Sequence, residues 1–123
     1  MTLQKTEPLA LSASTLGGDK VFNYQNEEIG KVEEIMIDIN TGRVAYVVVS
    51  FGGLLGVGGK LFAVPWAALH VDTNRKCFLM DADKERLKNA PGFDKNNWPE
   101  TPNGQWYHEV YNYYAQEPYW SQK

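Results

Sequence analysis

Apolar and polar positions alternate with a period of two over much of the first two-thirds of the chain, the mark of strands with one face in and one face out. Lys20-Val21-Phe22-Asn23-Tyr24 is short and rich in strand formers, and Gln25-Asn26-Glu27 is its turn. Ile29 to Ile39 follows, with Ile35, Ile37 and Ile39 on one face and Glu34, Met36 and Asp38 on the other. Gly30 is expected to relieve a bend at the start of this long strand. Asn40-Thr41-Gly42 then turns the chain, with Gly42 suited to the left-handed position of a three-residue hairpin. Arg43 to Phe51 carries apolar residues on both faces and is predicted to be the buried central strand.

Gly52 to Gly59 is a glycine-rich loop, and Lys60 to Val64 is the next strand. Pro65 ends that strand and can open a single helical turn, Trp66-Ala67-Ala68-Leu69. Val71-Asp72 and Arg75 to Met80 form a last hairpin about Thr73-Asn74. Five or six short strands joined by tight turns predict a mainly β fold, a small antiparallel barrel whose closure would remove its edges.

The character changes after the strands. Asp83 to Asn89 is predicted to be a short helix with Asp83 as its cap and Pro91-Gly92 as its stop. Gly92 to Asn103 is expected to be loop. A last helix is predicted from Gly104 to Ala115, with Thr101 as cap, Pro102 at its first position and Pro118 beyond its end. The expected organisation is a flexible tail over 1–10, a barrel over 11–82 and a helical, aromatic-rich extension over 83–123.

Composition narrows the class. A chain of 123 residues with 43% hydrophobic and 22% charged residues can build a core without a metal or disulfide. A net charge of −3 argues against a general nucleic-acid binder. One cysteine, Cys77, excludes an internal disulfide, and with two histidines it makes a poor metal inventory. No transmembrane segment or secretory signal is read from the N-terminal stretch, so the expectation is a soluble, cytoplasmic protein.

Candidate chemistry is sparse. The glycine loop has Leu54 where a phosphate loop needs Gly, and Leu61 where it needs Ser or Thr. It leads into a strand, so no helix N-terminus faces a phosphate. Its apolar residues Leu54, Leu55 and Val57 could instead stand at a tip and meet a partner. His70, Asp72 and Cys77 are close in sequence, but Cys77 alternates with Leu79 as a buried small hydrophobe does, and His70 reads as a strand-edge residue. Glu27, Glu28, Glu33, Glu34 and Asp38 read as a solvated face without the spacing of a calcium loop. No catalytic residue, cofactor or metal site is assigned.

The C-terminal segment is unusual. Half of the chain's sixteen aromatics lie between Trp98 and Trp120, under a fifth of its length. On the predicted helix Tyr107, Val110, Tyr111 and Tyr114 share a face, flanked by Trp106 and Tyr113. This face either packs on the chain's own strands or offers Trp106, Tyr107, Tyr111 and Tyr114 to a partner, since Trp and Tyr are favoured interface anchors. Base stacking on single-stranded nucleic acid is disfavoured by three Glu against one Lys over 98–123.

Ser14 to Val21 (STLGGDKV), Glu28 to Glu34 (EIGKVEE), Asp38 to Val49 (DINTGRVAYVVV), the glycine loop and Lys60 to Trp66 (KLFAVPW) together resemble the PRC-barrel family. This is the barrel shared by the cytoplasmic domain of the photosynthetic reaction-centre H subunit and the C-terminal domain of the ribosome-maturation factor RimM. The likeness covers about residues 10–82. Lys84 to Pro99 is also similar to free-standing bacterial members, some stress-associated. Asn26 stands where family hairpins often have Gly, and Asn tolerates a left-handed turn. The resemblance implies no catalytic motif and a binding or assembly role, while Gly30, Gly42 and Pro65 are read as structural turns from the residues themselves. The chain is therefore expected to be a non-enzymatic adaptor that binds a protein or itself, a homodimer in the simplest case. A small-ligand-binding barrel and an RNA-processing, ribosome-associated factor are the alternatives.

Overall fold

The computed structural model describes residues 9–16, 18–51, 60–82, 84–94 and 104–121. A short helix α1 (Ala13–Leu16) leads to strands β1 (Lys20–Phe22), β2 (Glu28–Ile37), β3 (Val44–Ser50) and β4 (Lys60–Val64). A 3₁₀ turn (Trp66–Ala68) connects to β5 (Leu69–Asp72) and β6 (Cys77–Met80). Helix α2 (Lys84–Lys88), strand β7 (Gly92–Asp94), helix α3 (Gly104–Tyr113) and a 3₁₀ turn (Tyr119–Ser121) complete the order.

The seven strands form one sheet in the order β5-β6-β1-β2-β3-β4-β7. Every pairing is antiparallel except β1 with β6, which is parallel. The fold is thus mainly β with short helices, as the alternation predicts. The hydrogen-bonded order runs open from β5 to β7, with no ladder joining the two among the described residues. The edges are therefore kept short, at four and three residues, instead of being abolished by closure.

β3 is the core strand. Ala45 to Val49 are all buried, and β-branched residues at Val47, Val48 and Val49 suit a strand covered on both sides. Val21, Val32, Phe51, Phe62, Val64, Phe78 and Leu87 join the same cluster.

Three sequence expectations are refined here. The first is the length and regularity of β2, which ends at Ile37 and not at Ile39. The register against β3 slips between Val32 and Glu34 and again between Met36 and Ile37. The first slip places an extra residue, Glu33, on β2, and the second places an extra residue, Ala45, on β3. Ile29 and Val32 are buried, Ile35 and Met36 are partly so, and Ile37 and Ile39 stand 50% and 92% exposed. The second is Gly30. It sits within the β1–β2 pairing, where an added Cβ would lie 2.5 Å from the Ser50 carbonyl oxygen and 2.9 Å from the Phe51 ring. Close approach of a neighbouring strand requires glycine there, one residue from Ile29, where the β1–β2 register slips. The third is the loop predicted over 92–103. Its first three residues form β7, with Phe93 opposite Leu61.

The β2–β3 connection runs over 38–43, three residues longer than predicted. Arg43 and Asp38 close it, with the Asp38 N–H donating to the Arg43 carbonyl at 2.8 Å. Gly42 takes φ +76°, the left-handed position expected of it. Pro65 ends β4 and precedes the 3₁₀ turn as read.

Candidate functional site

Four parts of the chain surround one apolar groove of about 690 Å³. The segment before and through α1 supplies Leu9, Leu11 and Leu16; β2 supplies Ile35 and Ile37; β3 supplies Val44; Trp66 and Val71 come from the 3₁₀ turn and β5. Leu9, Leu11, Ile37 and Trp66 are 63%, 46%, 50% and 36% exposed. Among the described residues only three other large hydrophobics are as exposed: Tyr24, Ile39 and Trp120. Single exposed apolar residues need no explanation, but their convergence in one concave surface does. Ile39 lies in the β2–β3 connection, two residues beyond Ile37 and three before Gly42, both of which line the groove.

The C-terminal segment borders the same surface. A second cleft, of about 350 Å³, is lined by Arg43, Val44, Trp66, Ala67, Tyr111, Glu117 and Tyr119, and so shares Val44 and Trp66 with the groove. Tyr119 is tied to the β2–β3 connection at two points. Its hydroxyl donates to Asp38 Oδ2 at 2.6 Å, and its carbonyl accepts from Arg43 Nη1 at 2.6 Å. The Tyr119 hydroxyl, followed by the Asn40 N–H, holds the Asp38 carboxyl below its usual range. Burial first, then the Asp38 partner, pushes the Tyr119 phenol up.

The aromatic residues divide into two sets. Val110, Tyr111 and Tyr114 are buried in this chain's own core, at 1%, 2% and 6% exposed. Tyr111 donates its hydroxyl to the Ala45 carbonyl at 2.7 Å, and burial pushes its phenol up to about 12. Trp106 and Tyr107 are half-buried, packing edge-on and tilted against Tyr46 at 5.3 and 6.0 Å. Of the four helix residues read as a partner surface, Tyr111 and Tyr114 therefore have their area committed to the chain's own strands. α3 covers the Tyr46 side of β3, which is why both faces of that strand are apolar. Trp106 and Tyr107 keep an outer side, together with Trp120, which meets Tyr107, His108 and Tyr111 edge-on. Leu54, Leu55 and Val57 lie outside the described residues.

The remaining candidates separate. Cys77 is buried on β6 opposite Asp72, and His70 is exposed on the edge strand β5 opposite Leu79. Among the described residues no group of three or more His, Cys, Asp or Glu is placed to hold a metal. No described helix is long and apolar enough to cross a membrane. The groove itself is not legible in the sequence, because it joins residues from Leu9 to Thr73 that only the tertiary fold brings to one surface.

A small, mostly antiparallel sheet with short helices packed on it and a concave apolar face defines the class: a compact β domain with a surface suited to binding. The chain belongs to the PRC-barrel family, whose PRC-barrel domain model matches residues 9–87, well over half of the sequence. PRC-barrel domains serve in general as non-catalytic modules of binding and assembly. Among curated proteins none matches the chain.

Proposed function

We propose that this protein is a non-enzymatic PRC-barrel adaptor that pairs with a second copy of itself through the apolar groove, with the β2–β3 connection as the inserting element. The observation that carries this reading is the convergence of Leu9, Leu11, Ile37 and Trp66 in one groove beside Ile39, which is 92% exposed. A two-fold pairing lets each copy give Ile39 to its partner's groove and receive the partner's Ile39, the self-complementary arrangement that such symmetry requires. The division into a barrel over 11–82 and an extension over 83–123 belongs to the same reading, with Trp106 and Tyr107 as a second contact surface beside Trp120. The likeness of Lys84 to Pro99 to stress-associated members adds a setting, checked by whether abundance of the protein rises under heat, salt or oxidant.

Sedimentation equilibrium of the full chain and of Ile39→Lys tests the pairing. Ile39 is almost wholly exposed, so the substitution leaves the fold unchanged. Expected is a dimer for the parent and a monomer for the variant. A parent that stays monomeric at high micromolar concentration removes the pairing. A partner from another protein that protects the groove from hydrogen exchange would then leave the adaptor role standing without it.

A further inference from the structure

A cleft of about 310 Å³ shares no lining residue with the apolar groove and differs from it in chemistry. Four elements converge on it. Tyr24 comes from the β1–β2 turn, His70 from β5, Asp81 and Arg86 from the approach to α2 and from α2 itself, and Tyr114 and Gln116 from the end of α3. Its volume lies at the small end of the ~300–1,000 Å³ typical of ligand pockets, which suits a small molecule and not a peptide. Hydrogen-bond donors dominate: two phenols, an imidazole, an amide and a guanidinium, against the single carboxylate of Asp81. Arg86 is held in place by donating to the Tyr113 carbonyl and by lying over the Tyr113 ring at 5.3 Å, which fixes its charge at the cleft.

The second observation is independent of the lining. Tyr114 is 6% exposed, and its hydroxyl is the one buried side-chain nitrogen or oxygen without a hydrogen-bond partner among the described residues. Folded proteins pair such groups with protein, water or ligand, because an unmade buried hydrogen bond is costly. Burial pushes the phenol of Tyr114 far up, so it stays protonated and acts as a donor. Tyr114 is among the residues that line the cleft, and its hydroxyl oxygen is shielded from bulk solvent.

We propose that this cleft binds a small oxyanion, a carboxylate or a phosphate group, that carries a hydrogen-bond donor beside it. The oxyanion meets Arg86, His70 and the Tyr114 hydroxyl, and the neighbouring donor meets Asp81. This goes beyond the pairing reading and stands or falls separately from it, because Ile39→Lys leaves the cleft intact.

The test is titration of the full chain with citrate and, separately, with inorganic phosphate, followed by calorimetry and amide chemical shifts at constant ionic strength. Saturable one-to-one binding is expected, with shifts confined to residues around Tyr24, His70, Asp81, Arg86 and Gln116. Tyr114→Phe and His70→Ala should each weaken it by roughly threefold to tenfold, the worth of one hydrogen bond. Tyr114→Phe retains the ring and so the packing, and His70 is exposed, so neither variant threatens the fold. Tighter citrate binding assigns a carboxylate ligand, and tighter phosphate binding assigns a phosphate ester. No saturation with either probe at about 10 mM, where even a ~1 mM site would fill, overturns the site. So does binding that Tyr114→Phe and His70→Ala leave unchanged, since the charge would then be captured elsewhere.

Discussion

Tyr111 and Tyr114 lie on one face of the C-terminal helical segment, carry the same hydroxyl and are both buried, yet the same substitution should act on them with opposite sign. The Tyr111 hydroxyl donates to the Ala45 carbonyl at 2.7 Å. Ala45 has no register partner on β2, where the pairing slips past it, and none on β4, whose pairing begins at Val47. Tyr111→Phe removes the donor and leaves that carbonyl unpaired in the core, at a cost of about 1–3 kcal/mol. Tyr114→Phe removes an oxygen that has no partner, so it is neutral or stabilising by up to about 1 kcal/mol. For a domain of this size each kcal/mol moves the thermal midpoint by about 3–5 °C. The expected shifts are a fall of about 3–15 °C for Tyr111→Phe and a rise of about 0–5 °C for Tyr114→Phe.

Urea denaturation followed by circular dichroism measures both, with an unchanged m-value certifying that stability alone has moved. A Tyr111→Phe protein within about 0.5 kcal/mol of the parent would refute the claim that α3 caps β3 through this bond. Destabilisation by more than about 1 kcal/mol in Tyr114→Phe would mean that its hydroxyl is already paired, and would remove one of the two supports of the anion site.

Three other changes test the fold at separate points. Gly30→Ala places a Cβ 2.5 Å from the Ser50 carbonyl oxygen, a backbone atom that cannot swing away, so a loss of about 2–3 kcal/mol is expected in the same denaturation assay. Asn23 is 1% exposed, its side chain accepts from the N–H groups of Gln25 and Glu27 and donates to Glu27 Oε1, and Asn23→Ala should cost about 2–3 kcal/mol. The Asp38 carboxyl is held below its unfolded value by the Tyr119 hydroxyl and the Asn40 N–H, so it adds stability above about pH 4 that is lost as the pH falls through the lowered value. The phenol of Tyr119 is pushed up, so its share is present below about pH 10 and lost as the pH rises through the higher folded value. The gap in midpoint between the parent and Asp38→Asn should therefore be widest near neutral pH and close in acid; a gap that is constant with pH would count against the tie.

The strands were legible because their signals are local. Alternation, β-branched runs and the Pro65 and Gly42 punctuation place β1 to β6 within a residue or two. β7 was not legible, because Gly92-Phe93-Asp94 is too short to show a period and is a strand only through the β4 edge beside it. Gly92 itself fits there because a Cβ would lie 2.8 Å from the Phe62 ring. The bulges of β2 were hidden for a related reason: Ile35, Ile37 and Ile39 alternate correctly, and only the pairing with β3 shows that the register slips. The groove inherits that illegibility. Ile35 and Ile37 share a face as the alternation has it, and both line the groove, but nothing local in the sequence says that this face is left partly uncovered.

The aromatic segment shows what a pattern alone leaves undecided. The 3.6-residue spacing of Tyr107, Val110, Tyr111 and Tyr114 predicts a face without saying what covers it. The chain's own strands cover most of it, through the Tyr111–Ala45 bond and the packing of Trp106 and Tyr107 on Tyr46. Removal of everything beyond Asn97 would therefore expose Tyr46 and unpair the Ala45 carbonyl along with any contact surface. Such a truncation should lower the unfolding midpoint sharply and lose association at the same time, so its loss of binding would carry no information about the tail. Point changes at the outer edge separate the two effects. Trp120 is 40% exposed and caps Tyr107, Tyr111 and Tyr119 by ring edges. Trp120→Ala should cost about 1–2 kcal/mol, well short of unfolding the domain. If the dimer expected from the Ile39 groove persists in Trp120→Ala at concentrations where Ile39→Lys is monomeric, pairing runs through the groove. If Trp120→Ala dissociates it while the fold holds, the aromatic edge is the interface and the groove is not.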